Sequence, residues 1–198
     1  MPHSASTPGR IGPNAILQML PVLEAEGGKK LTNAMLEAAG IDALPPDTGL
    51  IPEAGAAALH QAIRTHLPER AKSIATEAGM RTADYVIAHR IPPLIVWLLP
   101  RLPHRIAARL LTNSIQHHAW TFTGSGRFNV ISHAPIRLQI ADNPVVRGEV
   151  ADAPLCHWHA AVFTRLYQRL VRADYAAHEL ECCANHHPAC RFEITPTA

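Results

Sequence analysis

The 198-residue chain is long enough for one sizeable domain and too short for two comfortable cores. Hydrophobic residues make up 47% and charged residues 17%, a composition that folds, and a formal net charge of +2 gives no electrostatic ground for a nucleic-acid partner. Residues 1–10 are polar, lack the apolar core of a secretory signal, and read as a disordered lead-in to a single cytoplasmic domain over residues 11–198. The most apolar run, residues 91–99, contains Pro92 and Pro93 and falls well short of the ~20 residues a spanning helix needs, so no transmembrane segment is expected. Such a run suits a pocket wall or a peripheral contact with a membrane surface.

Pro13 opens a helix with Ile16, Leu17, Leu20 and Leu23 on one face, and Gly27-Gly28 ends it. A short helix over 31–39 stops at Gly40, and residues 44–51, with Pro45, Pro46 and Gly49, form a loop. From 52 to 89 the positions Leu59, Ile63, Leu67, Ile74, Tyr85 and Val86 recur at helical intervals, and Pro68 divides the stretch into two helices. A helix over 104–119 turns Ile106, Leu110 and Leu111 to its apolar side, with Arg105 and Arg109 towards the other. Residues 120–123, 127–132 and 136–141 read as short strands separated by Gly124-Ser125-Gly126 and Ala134-Pro135. A helix over 155–172 presents Val162, Phe163, Leu166 and Leu170 inward. Strands over 175–183 and 191–194 then form a closing hairpin. The sum is an α+β domain: a helix-rich N-terminal half, then a small antiparallel sheet with a long helix and a C-terminal hairpin.

All four cysteines, Cys156, Cys182, Cys183 and Cys190, lie in the last quarter of the chain. In a reducing compartment such a cluster favours metal ligation or free thiols over disulfides. The hairpin brings Cys190 back to the Cys182/Cys183 pair, with Glu179 on the same arm and Cys156 at the head of the preceding helix. Three thiolates and a carboxylate suit a tetrahedral zinc site. Neighbours on a strand point to opposite faces, so only one of Cys182 and Cys183 should ligate, and spacing alone does not say which. His157, His159, His178, His186 and His187 are rival ligands, and small buried thiols also pack in cores without any metal.

Two motifs carry a resemblance. Arg10-Ile11-Gly12-Pro13-Asn14-Ala15-Ile16, followed by an amphipathic helix, resembles the opening of the bacteriochlorophyll-biosynthesis members of the 4-vinyl reductase domain family. The closing Glu-x2-Cys-x7-Cys pattern resembles the wider family, and together the two span residue 10 to the end. The resemblance implies a fold shared with vesicle-tethering subunits, haem gas-sensor domains and the phenol-sensing domains of transcription activators. In the last of these, zinc is held by a cysteine before the long helix and by a Glu-x2-Cys-x7-Cys set. That implies Cys156, Glu179, Cys182 and Cys190 as ligands to a structural zinc ion, with Cys183 spare and no coordination position left for substrate.

The same resemblance implies a chlorophyll precursor as ligand, divinyl protochlorophyllide or a Mg-porphyrin, near the 8-vinyl (4-vinyl) reduction step. It also implies a homodimer working beside other pigment-synthesis enzymes. A Mg-tetrapyrrole needs an apolar slot, stacking aromatics, an axial nitrogen and cations for its carboxylates. Trp97, Trp120 and Phe122, His117 or His118, and Arg105 or Arg109 are the candidates; each also has an ordinary role as core or solvated residue. Vinyl reduction requires an electron or hydride donor. Gly124-Ser125-Gly126 lacks the third glycine and the strand–turn–helix setting of a dinucleotide site, and one mixed four-ligand cluster does not make an iron–sulfur centre. The residues therefore read as a carrier or accessory protein that binds the pigment, with the reductase itself and a freestanding small-molecule sensor as alternatives.

Overall fold

The computed structural model describes residues 9–197. The expected lead-in, residues 1–10, lies mostly outside them, but Arg10 is already ordered: β1 (Arg10–Ile11) pairs antiparallel with β2 (Ile51–Pro52). Between these strands lie α1 (Asn14–Leu17) and α2 (Leu20–Ala38). The anticipated break at Gly27-Gly28 is a kink within α2. Gly28 has φ +67° and Gly27 is non-helical, a backbone that only glycine adopts freely. Pro68 divides the next stretch as expected into α3 (Glu53–His66) and α4 (Pro68–His89). Then come α5 (Pro93–Leu98), a 3-10 turn (Leu99–Arg101) and α6 (His104–His117).

The inward face of α6 differs from the expected one. Ala107, Ala108, Leu111, Thr112 and Ile115 are buried, whereas Ile106 and Leu110 are about half exposed. Counting alanines as core positions moves the buried stripe round the helix by about a quarter turn, because small residues let α6 pack closely. Residues 120–123 are likewise not a strand. Ala119–Thr121 form a 3-10 turn whose hydroxyls are satisfied locally: Thr123 Oγ1 donates to Ala119 O at 2.9 Å and Thr121 Oγ1 to His118 O at 2.8 Å. Gly124 and Gly126 therefore lead from this turn into the sheet.

The sheet is antiparallel in the order β3 (Arg127–His133), β4 (Ile136–Ala141), β6 (Ala189–Pro196), β5 (Tyr175–Glu181). Between β4 and β5 runs α7 (His157–Leu170), which packs on one sheet face and against α4. Period-2 alternation sets that face: Leu138 and Ile140 on β4, and Cys190, Phe192 and Ile194 on β6, all buried. Phe163 of α7 stacks edge-on against Phe192 at 5.3 Å and Phe122 at 5.8 Å. On its other side α7 lies so close to α4 that a Cβ at Gly79 would collide with the Trp158 carbonyl. Trp158 Nε1 donates to Thr82 Oγ1 at 3.2 Å across the same contact.

A buried carboxylate joins the helical half to the sheet. Glu53, at the start of α3, accepts from Ser125 N (2.6 Å), Ser125 Oγ (2.7 Å) and Arg147 Nη1 (3.0 Å). Burial opposes its charge, but the bonds from Ser125 and Arg147 outweigh that and hold the carboxyl below its ordinary value. The two glycines beside Ser125 are thus structural. Gly124 has φ +57°, and a Cβ there would run into the Glu53 carboxylate.

Candidate metal centre and adjoining cleft

Four side chains meet at the edge of the sheet. One ligand atom from each of Cys156, Glu179, Cys182 and Cys190 lies within 4.8 Å of all the others. Cys156 is the N-cap of α7, Cys190 lies on the inward face of β6, and Glu179 shares the inward face of β5 with Tyr175 and Ala177. The choice between Cys182 and Cys183 is made by a bulge. Glu179 pairs with Phe192 but Glu181 with Arg191, so β5 carries one extra residue, Leu180, whose side chain is exposed. That residue inverts the alternation of the strand. Glu181 turns outward to meet Arg191 at 3.0 Å, Cys182 turns inward to full burial, and Cys183 approaches the Ile140 carbonyl instead, at 3.9 Å.

The sulfurs stand 3.3 Å (Cys156–Cys190), 3.9 Å (Cys156–Cys182) and 3.9 Å (Cys182–Cys190) apart. A disulfide needs ~2.05 Å, whereas sulfurs ~2.3 Å from a tetrahedral zinc stand about 3.8 Å from one another. The spacing is that of co-ligands. Glu179 Oε2 accepts from the Cys156 amide at 2.7 Å, while its Oε1 is buried without any hydrogen-bond partner. An orphaned carboxylate oxygen beside three thiols is a free coordination position, so this donor set fits a zinc ion.

The electrostatics agree. Burial pushes the Cys156 thiol up, and burial with the neighbouring Cys182 sulfur pushes Glu179 up to about 8. Thiol hydrogen bonds from Cys156 and Cys190 converge on Cys182 and hold it far below the thiol range, and the same bonds keep the proton on Cys190. The cluster cannot carry four charges unaided, and a divalent cation would displace its protons.

Sequence reasoning missed Asn143. Its buried side chain accepts from Val145 N at 3.1 Å, which fixes the amide orientation, and its Nδ2 donates to Cys156 Sγ (3.3 Å) and Cys190 Sγ (3.5 Å). The Cys183 backbone N–H adds a bond to Cys190 Sγ at 3.4 Å. In the sequence Asn143-Pro144 reads only as a turn, and nothing local announces the contact. The rival histidines stand apart: His178, His186 and His187 are exposed, and His159 is buried with Nε2 donating to the Phe122 carbonyl at 3.2 Å. The remaining rival, His157, faces a cleft.

That cleft, of about 350 Å³, lies between α3, α4 and the loop before α7. Met19, Ile63, Ala71 and Leu155 form apolar walls, and Arg64, Lys72 and His157 supply polar ones. Burial, then Lys72 and Arg64, lower the His157 pKa, so its imidazole stays neutral at pH 7. Arg64 is held by a bidentate pair with Glu149, one arm being Nε to Oε1 at 2.9 Å. Because Leu155 and His157 flank Cys156, the cysteine cluster fixes one wall of the cleft.

The residues suggested by sequence for a pigment site are not gathered there. Trp97, Arg105, Arg109, His117, His118 and Trp120 are exposed along α5, α6 and the following turn. Phe122 is part-buried in the aromatic core with Phe128 and Phe163.

Over 187 residues the chain is 51% identical to the bacteriochlorophyll synthase 23 kDa chain of Cereibacter sphaeroides, spanning 94% of this chain and 91% of that one. The protein of the same name from Rhodobacter capsulatus is 42% identical over 187 residues, or 94% and 87% of the two chains. The chain belongs to the bacteriochlorophyll synthase 23 kDa chain family. Residues 136–196 of this family member match the 4-vinyl reductase domain, and the match contains all four candidate metal ligands. The resemblance read from the two motifs is thereby borne out.

Solved structures support the fold of this 23 kDa chain relative. The phenol-responsive sensory domain of the transcription activator PoxR superposes with a TM-score of 0.56 at 20% identity, covering 75% of this chain and 76% of that one. An H-NOX protein from S. oneidensis gives 0.62 at 11% identity over 95% and 100% of the two chains. At such identities the likeness concerns architecture, and it agrees with the α+β class expected. Among the described residues no helix is long and apolar enough to cross a membrane.

Proposed function

We propose that this protein binds a Mg-tetrapyrrole precursor and serves bacteriochlorophyll synthesis as a carrier or accessory protein near the 8-vinyl reduction step. A structural zinc ion on Cys156, Glu179, Cys182 and Cys190 completes the binding domain. The observation that carries the reading is kinship with the bacteriochlorophyll synthase 23 kDa chains over 94% of the chain. The cleft supplies the chemistry. At about 350 Å³ it stands near the lower end of small-molecule sites, so it would grip one edge of a macrocycle and leave the rest open for transfer. Its apolar walls suit the ring, Lys72 suits a carboxylate, and the neutral imidazole of His157 suits an axial position on magnesium. Zinc would act at one remove, by fixing Cys156 and hence Leu155 and His157. In this reading the protein works as a homodimer, peripheral to a membrane and beside other pigment-synthesis enzymes.

The test is a titration of divinyl protochlorophyllide or Mg-protoporphyrin followed at the Soret band. The wild-type protein should bind at micromolar pigment, and His157→Ala should weaken binding by about tenfold with altered band position. Failure of the wild-type protein to shift the band would refute the carrier reading. Monovinyl product on addition of NADPH or a reduced donor would instead establish the reductase. Metal analysis tests the zinc: one ion per chain is expected, and its absence from freshly purified protein would refute that part.

A further inference from the structure

The face built by α5 and α6 combines three properties that the fold does not explain. Among the described residues α5 is the one α-helix with no buried side chain, and Leu94 (67% exposed), Trp97 (56%) and Leu98 (38%) project from it. Leu99 alone anchors the segment, being buried directly after it. Along α6, Ile106 and Leu110 stand one turn apart on the exposed side and continue the apolar surface, with Arg105 and Arg109 in the adjacent row. A fold that needed these residues for its own core would have turned them inward, as it turned Leu111 and Ile115.

The second property is charge. From Tyr85 to Ala141 the sequence contains no aspartate or glutamate. Arg101, Arg105 and Arg109 make no ion pair among the described residues, whereas Arg127 and Arg137 on the sheet pair with Asp142 and Glu193. Arg101 instead lies over the Trp97 ring at 4.2 Å and donates to the Trp97 carbonyl, so cation and indole form one amphipathic unit. Third, Pro92 and Pro93 fix the entry to α5 and Pro100 and Pro103 its exit, giving a short stiff projection and not a groove.

We propose that this face docks on a bilayer rich in anionic phospholipid. Leu94, Trp97 and Leu98 would enter the boundary between headgroups and acyl chains, and Arg101, Arg105 and Arg109 would meet the lipid phosphates. Charge complementarity selects this occupant over a second copy of the chain. An isologous dimer through the same face would set its arginines against each other with no acid to compensate. Any homodimer must then pair elsewhere. The proposal gives a location and a lipid chemistry to the peripheral position in the functional reading. It rests on exposure and charge alone, so vesicle binding is measured without pigment and can fail or succeed independently of pigment binding.

The experiment mixes the purified full-length protein with vesicles of phosphatidylcholine alone or with phosphatidylglycerol, and reads cosedimentation and tryptophan emission. Trp158 is buried, so a blue shift reports on Trp97 and Trp120, and a Trp97→Phe variant isolates the first. Binding is expected only with phosphatidylglycerol, weakening as salt rises. The combined Arg101→Gln, Arg105→Gln, Arg109→Gln variant should lose on the order of 100-fold in partitioning. Leu94→Ser with Leu98→Ser should abolish the blue shift. All these positions are exposed, and an unchanged circular dichroism spectrum confirms that the variants fold. Equal partitioning into both vesicle types, or full binding by the triple arginine variant, would overturn the proposal. So would a dimer in sedimentation equilibrium that dissociates on Leu94→Ser/Leu98→Ser while the wild type ignores the vesicles.

Discussion

Replacing Asn143 with leucine removes the amide that donates to Cys156 Sγ and Cys190 Sγ while keeping nearly the same volume. If these sulfurs ligate zinc as thiolates, each N–H···S bond offsets part of the charge crowded around the ion. Partners that hold metal ligands in this way typically contribute 10–100-fold in affinity, or about 1.4–2.7 kcal/mol. The upper part of that range applies here, because Asn143 is only 1% exposed and water cannot replace it. A second cost, about 1–3 kcal/mol of folding stability, comes from Val145 N losing its acceptor, and it falls on the protein with or without metal. Competition with a chromophoric zinc chelator separates the two, since it reads affinity directly, while melting in excess EDTA reads the metal-independent part. Asn143→Asp sharpens the test: it keeps an acceptor for Val145 but sets a carboxylate against two sulfurs, so it should lose more zinc affinity than leucine does. Zinc affinity within threefold of wild type in both variants would refute the role assigned to Asn143.

Glu53→Gln should cost about 2–3 kcal/mol, because the bonds to Ser125 and Arg147 lose their charge in a side chain only 10% exposed; calorimetry should show the melting point falling by several degrees. Gly79→Ala gains about 1 kcal/mol in helix propensity, yet its methyl would press on backbone at Trp158, so net destabilisation in denaturant titration is expected; a stabilised variant would show that α4 and α7 separate easily. His60 is buried beside Arg64 and His159 with its pKa lowered to about 3, so it stays neutral in the fold while the unfolded chain takes up a proton below ~6.5. The unfolded state therefore binds more protons between those values, and stability falls with acid, by about 2–3 kcal/mol at pH 4.5. His60→Gln should flatten that part of the difference curve between pH 6.5 and 4.5; an unchanged slope would contradict it.

Much of this protein was legible in the sequence because the signals are local. Helical periodicity and proline punctuation placed α3, α4 and α7, alternation placed β3 and β4, and the Glu-x2-Cys-x7-Cys pattern with Cys156 named the cluster that the fold gathers. What failed did so where tertiary packing overrides local pattern. Ile106 and Leu110 read as core, but α6 packs through Ala107, Ala108 and Leu111, and the larger residues are left outside. Trp120 and Phe122 read as a strand because aromatics favour strands, yet their turn is closed by threonine hydroxyls. The donors that complete the cluster were not legible at all, since Asn143 reaches it from 13 residues before Cys156 and 47 before Cys190. Spacing alone also left Cys182 and Cys183 equivalent, and one extra residue at Leu180 decides between them. The sequence by itself determined which chemical groups the site can draw on; the bulge, the helix packing and the loop at Asn143 decided which of them face one another, because side-chain direction depends on register and contacts that no local stretch encodes.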